Sequence, residues 1–200
     1  IEEDLASNEI PTVIEHTHLL RNRIQRMEKL LDDLLIFYRV GKTEGQLVNI
    51  DANQMAMDIF DIQNTKPGLK LEILNKLPTF TTLSTPFELI IRNLFSNAIK
   101  HHDKNEGLIQ ISSKELDSQY FEFTVCDDGP GIPEKFHKRV FGMFQTLKPR
   151  DELEGSGMGL ALIKKLVETY GGHITLKSSG RGTCFSFSWP QHIQRRAEND

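Results

Sequence analysis

Apolar and polar residues alternate along Leu108–Leu116 and again along Tyr120–Cys126, with Asp117-Ser118 between the two runs. A period of two puts one side of each strand in a core and the other in water. Two such runs around a polar turn predict an antiparallel hairpin. His173–Ser178 and Gly182–Trp189 predict a second one. Leu69–Leu74 and Thr79–Leu83 read as further strands on either side of Pro78. A half-buried sheet needs a cover, and the chain supplies amphipathic helices for it. Asp51 is a good N-cap for a helix through about Asn64, with Met55, Ile59 and Ile62 on one face and Lys66-Pro67-Gly68 as its stop. Pro86 opens an apolar helix over Phe87–His101. Gly155–Gly159 leads into another that runs to about Tyr170 and stops at Gly171-Gly172. The expected fold class is α+β: a two-layer sandwich whose mixed, largely antiparallel sheet carries helices on one face.

A long helix precedes this unit. Val13, Leu20, Met27 and Leu34 form one heptad row, and Thr17, Ile24, Leu31 and Tyr38 form the other. Leu30, Leu35 and Phe37 widen the stripe, which suits a helical bundle better than a two-stranded coil. Pro11 belongs to its first turn and Gly41 to its end. One such helix cannot bury its stripe alone. The expected organisation is therefore residues 1–42 as part of a truncated bundle, 45–190 as the sandwich, and 191–200 as a polar tail. The chain begins at Ile1, which reads as an excised fragment.

Composition removes several function classes. With 24 basic and 28 acidic side chains the net charge is −4, which argues against a dominant nucleic-acid footprint. No apolar run is long enough for a membrane span, and no signal peptide is visible. The two cysteines, Cys126 and Cys184, have no CxxC partner and read as reduced thiols in a cytosolic setting.

Three segments carry chemistry. Asn93, Asn97 and Lys100 are spaced i, i+4, i+7 and share one helix face, where a carboxamide oxygen suits Mg²⁺ and a lysine suits phosphate. The same spacing also describes a merely wet stripe. Asp127-Asp128-Gly129-Pro130-Gly131-Ile132-Pro133 follows a strand; it offers a carboxylate to an exocyclic amine, or forms an ordinary Asx turn. Gly155-Ser156-Gly157-Met158-Gly159-Leu160 opens a helix, and its N–H groups and dipole end suit phosphate. It fits neither the Walker pattern nor the dinucleotide fingerprint.

In this order the three segments resemble the catalytic ATP-binding region of sensor histidine kinases, within the GHKL ATPase superfamily. Asn93–His101 resembles the N box, Asp127–Gly131 the G1 box, Phe141–Phe144 the F box and Gly155–Gly159 the G2 box. Arg26–Leu30, Asp32–Leu35 and Arg39–Gly41 resemble the second helix of the dimerisation and phosphotransfer bundle. Phe141–Gly159 is most similar to phytochrome-like kinases.

The resemblance implies a Bergerat ATP-binding fold with ATP and Mg²⁺ as cofactors. Asn97 would hold the metal and Asn93 would assist it. Lys100 would meet phosphate, with His101 beside the nucleotide. Asp127 and Thr183 would read the adenine edge, and Gly129, Gly131 and Ile132 would lie against the base. Residues 134–154 would form the ATP lid, anchored by Phe141 and Phe144, with Lys148 and Arg150 as candidate lid cations. Gly155, Ser156, Gly157, Met158, Gly159 and Leu160 would cradle phosphates. The γ-phosphate would pass to a histidine and then to the aspartate of a response-regulator receiver domain, with homodimerisation through the bundle and no contact with nucleic acid or membrane.

The chain departs from the family pattern in places. The stretch beginning His18-Leu19-Leu20-Arg21 is the nearest look-alike of an acceptor motif, but it lacks the acid and the proline, so the acceptor is expected upstream of Ile1. Thr146 stands where related kinases often carry arginine. Asn93 stands where ATP-hydrolysing relatives carry a glutamate base, and an amide cannot take a proton. That favours a kinase over a hydrolase. A serine kinase of the anti-sigma type is disfavoured by the heptad helix. A non-catalytic nucleotide-sensing module is the remaining rival.

Overall fold

The computed structural model describes residues 10–40, 46–146 and 156–193. Helix α1 (Ile10–Arg39) is followed by β1 (Leu47–Asp51), α2 (Ala52–Gln63), β2 (Gly68–Ile73) and β3 (Thr79–Leu83). Then come α3 (Ser84–His101), β4 (Glu106–Glu115), β5 (Tyr120–Asp127), α4 (Gly159–Thr169), β6 (Ile174–Lys177) and β7 (Thr183–Pro190). One 3₁₀ turn, Glu134–Phe136, lies between β5 and α4.

Five strands form the main sheet in the order β2-β4-β5-β7-β6. Only β2 and β4 are parallel, joined by a crossover that contains α3. The other pairs are antiparallel. β1 and β3 make a separate two-stranded ribbon that sets Ile50 against Phe80. The fold is thus α+β with a mixed sheet and helices. Asp51 Oδ1 accepts from the N–H groups of Asn53 (2.9 Å) and Gln54 (3.2 Å), which starts α2 at the expected cap. The Asp117 carboxylate accepts from Gln119 (2.7 Å) and Tyr120 (3.0 Å) and makes the β4–β5 turn.

Two sequence expectations shift. Strand β1 was not anticipated, because only Ile50 of its five residues is buried and no clear alternation marks it. Helix α3 begins at Ser84, so Pro86 sits inside the first turn and does not open the helix. There the missing N–H costs no hydrogen bond.

The core lies between the sheet and helices α2, α3 and α4. Phe123 and Phe187 stack across β5 and β7 with centroids 5.4 Å apart, and Phe87 of α3 meets Phe123 edge-on at 5.0 Å. Trp189 is fully buried, and its Nε1 donates to the buried Thr82 Oγ1 (2.8 Å), tying the main sheet to the ribbon. Among the described residues, helix α1 meets this body along its C-terminal half. Phe37 and Val40 pack on the core, and the Lys165 ammonium lies 4.1 Å from the Phe37 ring centroid. Most of the heptad positions stay open to solvent, with Met27 at 62% and Leu31 at 60% exposure, while Val13 and Leu34 are half-buried. Among the described residues, no helix is long and apolar enough to cross a membrane.

The cysteine expectation is corrected. Cys126 and Cys184 face each other across β5 and β7 with Cα atoms 4.1 Å apart, and they form a disulfide. They are 58 residues apart in the chain. No local spacing signals such a pair; only the sheet register brings the two together.

Candidate functional site

A cavity of about 410 Å³ opens between α3, α4, the loop after β5 and α1. This is within the size range of small-molecule sites, roughly 300–1,000 Å³. The polar face of α3 supplies one wall through Asn93, Asn97, Lys100 and His101. Phe95 and Ile99 point the other way into the core, and the buried Leu94 and Ala98 lie at the border between core and cavity; this fixes the roll of the helix. Asn93 is oriented by its Nδ2, which donates to the Leu89 carbonyl one turn back (2.8 Å). Asn97 Nδ2 is buried with no hydrogen-bond partner among the described residues. A buried carboxamide left short of partners is costly unless something else completes it.

Asp127 ends β5 and lies opposite Thr183 on β7, and both line the cavity. Burial pushes the Asp127 carboxyl above its ordinary range, although the Gly129 N–H donates to Oδ1 (2.9 Å) and opposes the shift. The loop then folds back on the β6–β7 turn. Gly182 N–H donates to the Gly129 carbonyl (2.8 Å), and Ile132 N–H donates to Ser178 Oγ (2.8 Å). Ser178 in turn donates to the Gly182 carbonyl (2.7 Å). Gly131 has φ +76°, and a Cβ there would lie 2.4 Å from the Gly180 carbonyl oxygen, so the loop requires glycine.

The third wall is the start of α4, where Ser156, Gly157, Gly159 and Leu160 line the cavity. Met158 gives the helix no side-chain cap, so its first N–H groups are left for a ligand. Ser156 Oγ accepts from the Met158 N–H (3.1 Å). Gly159 presses on α3: a Cβ there would sit 2.8 Å from Asn93 Oδ1.

Most of the described sequence candidates therefore meet in one place, and three stand apart. Gly129 lies behind the loop, and Met158 is fully buried beneath α4. Phe144, at φ +60° and 44% exposed, is not on the wall, whereas Gln145 and Thr146 are. Gly155 falls outside the described residues, as do Lys148 and Arg150.

Sequence reasoning missed a supporting clamp. His102 is buried at 5% exposure; its Nε2–H donates to the Asp128 carboxylate at Oδ1 (2.8 Å), while Nδ1 sits against both the N–H (3.2 Å) and the carbonyl (3.1 Å) of Lys104. The same oxygen accepts from the Leu108 N–H (2.8 Å). Burial works against the Asp128 charge, but these two donors outweigh it and hold the carboxyl below its ordinary value. Arg181 grips Asp103 with both Nη atoms (3.1 and 3.0 Å) and donates to the Asp128 carbonyl (2.9 Å). That hydrogen bond holds the Asp103 carboxyl low. The available signal was the run His101-His102-Asp103 just past an amphipathic helix. Also missed were Lys29 and Asp33 of α1, which reach the cavity wall. The remaining histidines with no assigned role include His137, bonded to the Ile132 carbonyl (2.7 Å), and His173, bonded to Ser188 (2.9 Å).

Magnesium fits this site on the chemistry of its donors. Among the described residues no three His, Cys, Asp or Glu side chains cluster. A cation would rest on the Asn97 carboxamide oxygen and on oxygens of a ligand, as Mg²⁺ commonly does beside phosphates.

Residues 82–193 match the family described as histidine kinase-, DNA gyrase B- and HSP90-like ATPases. Cyanobacterial phytochrome B of Nostoc sp. is 34% identical over 169 residues, which are 82% of this chain and 22% of that protein. The adaptive-response sensory kinase SasA of Crocosphaera subtropica is 29% identical over 201 residues, covering 94% of this chain and 52% of that one. The chain thus spans about half or less of these relatives. Full-length ShkA in complex with AMPPNP has a similar fold, with a TM-score of 0.73 at 23% identity over 90% of this chain and 39% of that chain.

Proposed function

The chain belongs to the histidine kinase-, DNA gyrase B- and HSP90-like ATPase family as the catalytic domain of a sensor histidine kinase, and from that premise we propose that its cavity takes ATP with magnesium for phosphoryl transfer to a histidine. The observation that carries the reading is convergence. Three segments far apart in sequence bring two carboxamides and a lysine, a strand-end carboxylate and an uncapped glycine-rich helix start to one cavity. A nucleotide offers the matching groups: an exocyclic amine, an apolar base and a polyphosphate.

In this reading Asp127 accepts from the adenine amine, and Thr183 reaches the same edge. Gly131 and Ile132 give the base a flat floor. Lys100 and the N–H groups at Gly157 and Gly159 hold the phosphates, and Asn97 with Asn93 holds the metal side. With magnesium bound, the phosphate charge is partly neutralised, which favours attack at the terminal phosphorus. The protein's part is positioning and charge complementation. No carboxylate stands at position 93 to take a proton from water, which supports transfer over hydrolysis. The acceptor histidine would lie on a bundle helix outside the described residues, with relay to a receiver-domain aspartate. A second copy would cover the open stripe of α1. The bound AMPPNP of ShkA supports the nucleotide reading.

Calorimetry with ADP or ATP and Mg²⁺ tests the site, using wild type, Asn97→Ala and Asp127→Ala. Saturable binding lost in both variants is the expected result, and no binding by wild type at any magnesium level overturns the reading. Acid-labile phosphate on a histidine of a longer chain then tests the transfer itself.

A further inference from the structure

The disulfide Cys126–Cys184 plays no part in the reading above, yet each cysteine is the chain neighbour of a cavity residue. Asp127 follows Cys126 and Thr183 precedes Cys184, so the two pairs are successive rungs of the β5–β7 ladder. The strand pleat sends Asp127 and Thr183 to the cavity and the cysteines to the opposite face of the sheet. There the next outward pair is Thr124 and Ser186, hydrogen-bonded at 2.8 Å. Both cysteines are half-buried, so a reductant reaches them without opening the core. Beyond the Asp127–Thr183 rung the strands part, and the Gly182 to Gly129 hydrogen bond is the next tie. The bridge is therefore a covalent link at the end of a ladder, where strands fray most easily.

We propose that this pair is a thiol–disulfide switch on nucleotide affinity, a proposal that rests on the reading of the cavity as an adenine-nucleotide site. Bridged, it keeps the Asp127–Thr183 rung closed and preorganised for the base edge. A dithiol reductant opens it. One thiolate of the reductant attacks a bridge sulfur, forms a mixed disulfide and releases the other cysteine as a thiolate. The reductant's second thiolate then displaces the remaining cysteine. Two electrons pass from the dithiol to the bridge, the dithiol leaves as its own disulfide, and both cysteines take up protons. An oxidised dithiol runs the same exchange in reverse.

The test is calorimetric ADP binding to the wild-type chain, air-oxidised and after dithiothreitol, with free thiols counted in each sample. Binding is expected to weaken several-fold once both thiols titrate, and to recover on reoxidation. The double variant Cys126→Ser, Cys184→Ser is expected to keep the weaker affinity whatever the reductant. Equal affinity in bridged and reduced protein overturns the switch, as does an oxidised sample without the bridge. If neither form binds ADP, it is the nucleotide reading that fails. Amide hydrogen exchange at residues 127–131 and 182–183 then decides the clamp: faster exchange on reduction supports it, and unchanged exchange overturns it.

Discussion

Burial raises the Asp127 carboxyl, and a shift in this direction acts oppositely on folding and on binding. The folded chain holds the proton more tightly than the unfolded chain does. Asp127 therefore contributes stability that is fully present below its unfolded value and is lost as pH rises through the raised folded value. In the proposed site binding runs the other way, because there the ionised carboxylate is the form that accepts freely from the adenine amine. Nucleotide affinity should start to fall on acidification above the ordinary aspartate range. Asp127→Asn should weaken binding by about 1.5–3 kcal/mol, the worth of a hydrogen bond to a charged group, and should flatten that pH profile. Calorimetry at several pH values measures both. Asp128 is lowered, so its contribution is present above its unfolded value and lost as pH falls through the folded one. Asp128→Ala leaves the buried His102 Nε2–H without its acceptor. That should cost about 1–3 kcal/mol, read as a lower unfolding midpoint in thermal or urea denaturation.

Helix α4 meets α3 where Gly159 faces Asn93, and no Cβ fits between them. Alanine is the better helix former by about 1 kcal/mol, so propensity alone would make Gly159→Ala stabilising. Contact with Asn93 predicts instead that the Asn93 carboxamide is displaced and that nucleotide affinity falls, as ADP titration would show. Helix α1 is held to the body by Phe37 and Val40, with Lys165 over the Phe37 ring. Phe37→Ala removes both the packing and a cation–π contact worth about 0.5–2 kcal/mol. Limited proteolysis should then cut within α1 sooner than in the wild type. The regular elements were largely legible because their signals are local. Asp51 caps α2 as its side chain predicts, and the turn at Asp117 forms where the alternation breaks. Strand β1 was not legible, since a five-residue strand with one buried position carries too little pattern. The start of α3 was misplaced because a proline is equally at home one or two residues inside a helix.

The apolar stripe of α1 is left open to solvent, with Ile24, Met27, Leu31 and Tyr38 all exposed. Under the proposed dimer, replacing Met27 and Leu31 by lysine should shift sedimentation toward monomer while ADP affinity stays the same. At this scale the sequence spoke unevenly. It placed Asn93, Asn97, Asp127 and Gly159 as candidates because glycine spacing and helix periodicity are readable along one chain. It misjudged the cysteines as reduced thiols and was silent on the Arg181–Asp103 clamp and on Lys29 at the cavity wall, since each depends on residues brought together only by register or docking. The sheet order carries one more consequence. Strand β7 is the last of the described strands, yet it lies between β5 and β6 and supplies Phe185, Phe187 and Trp189 to the core. A ribosome delivers it after everything it must join. Until it emerges, β6 has no neighbour, the aromatic stack lacks one side and Asp127 has no Thr183 opposite it. The growing chain must wait in a half-built sheet, and it can first hold a nucleotide only once the segment through Pro190 has left the exit tunnel.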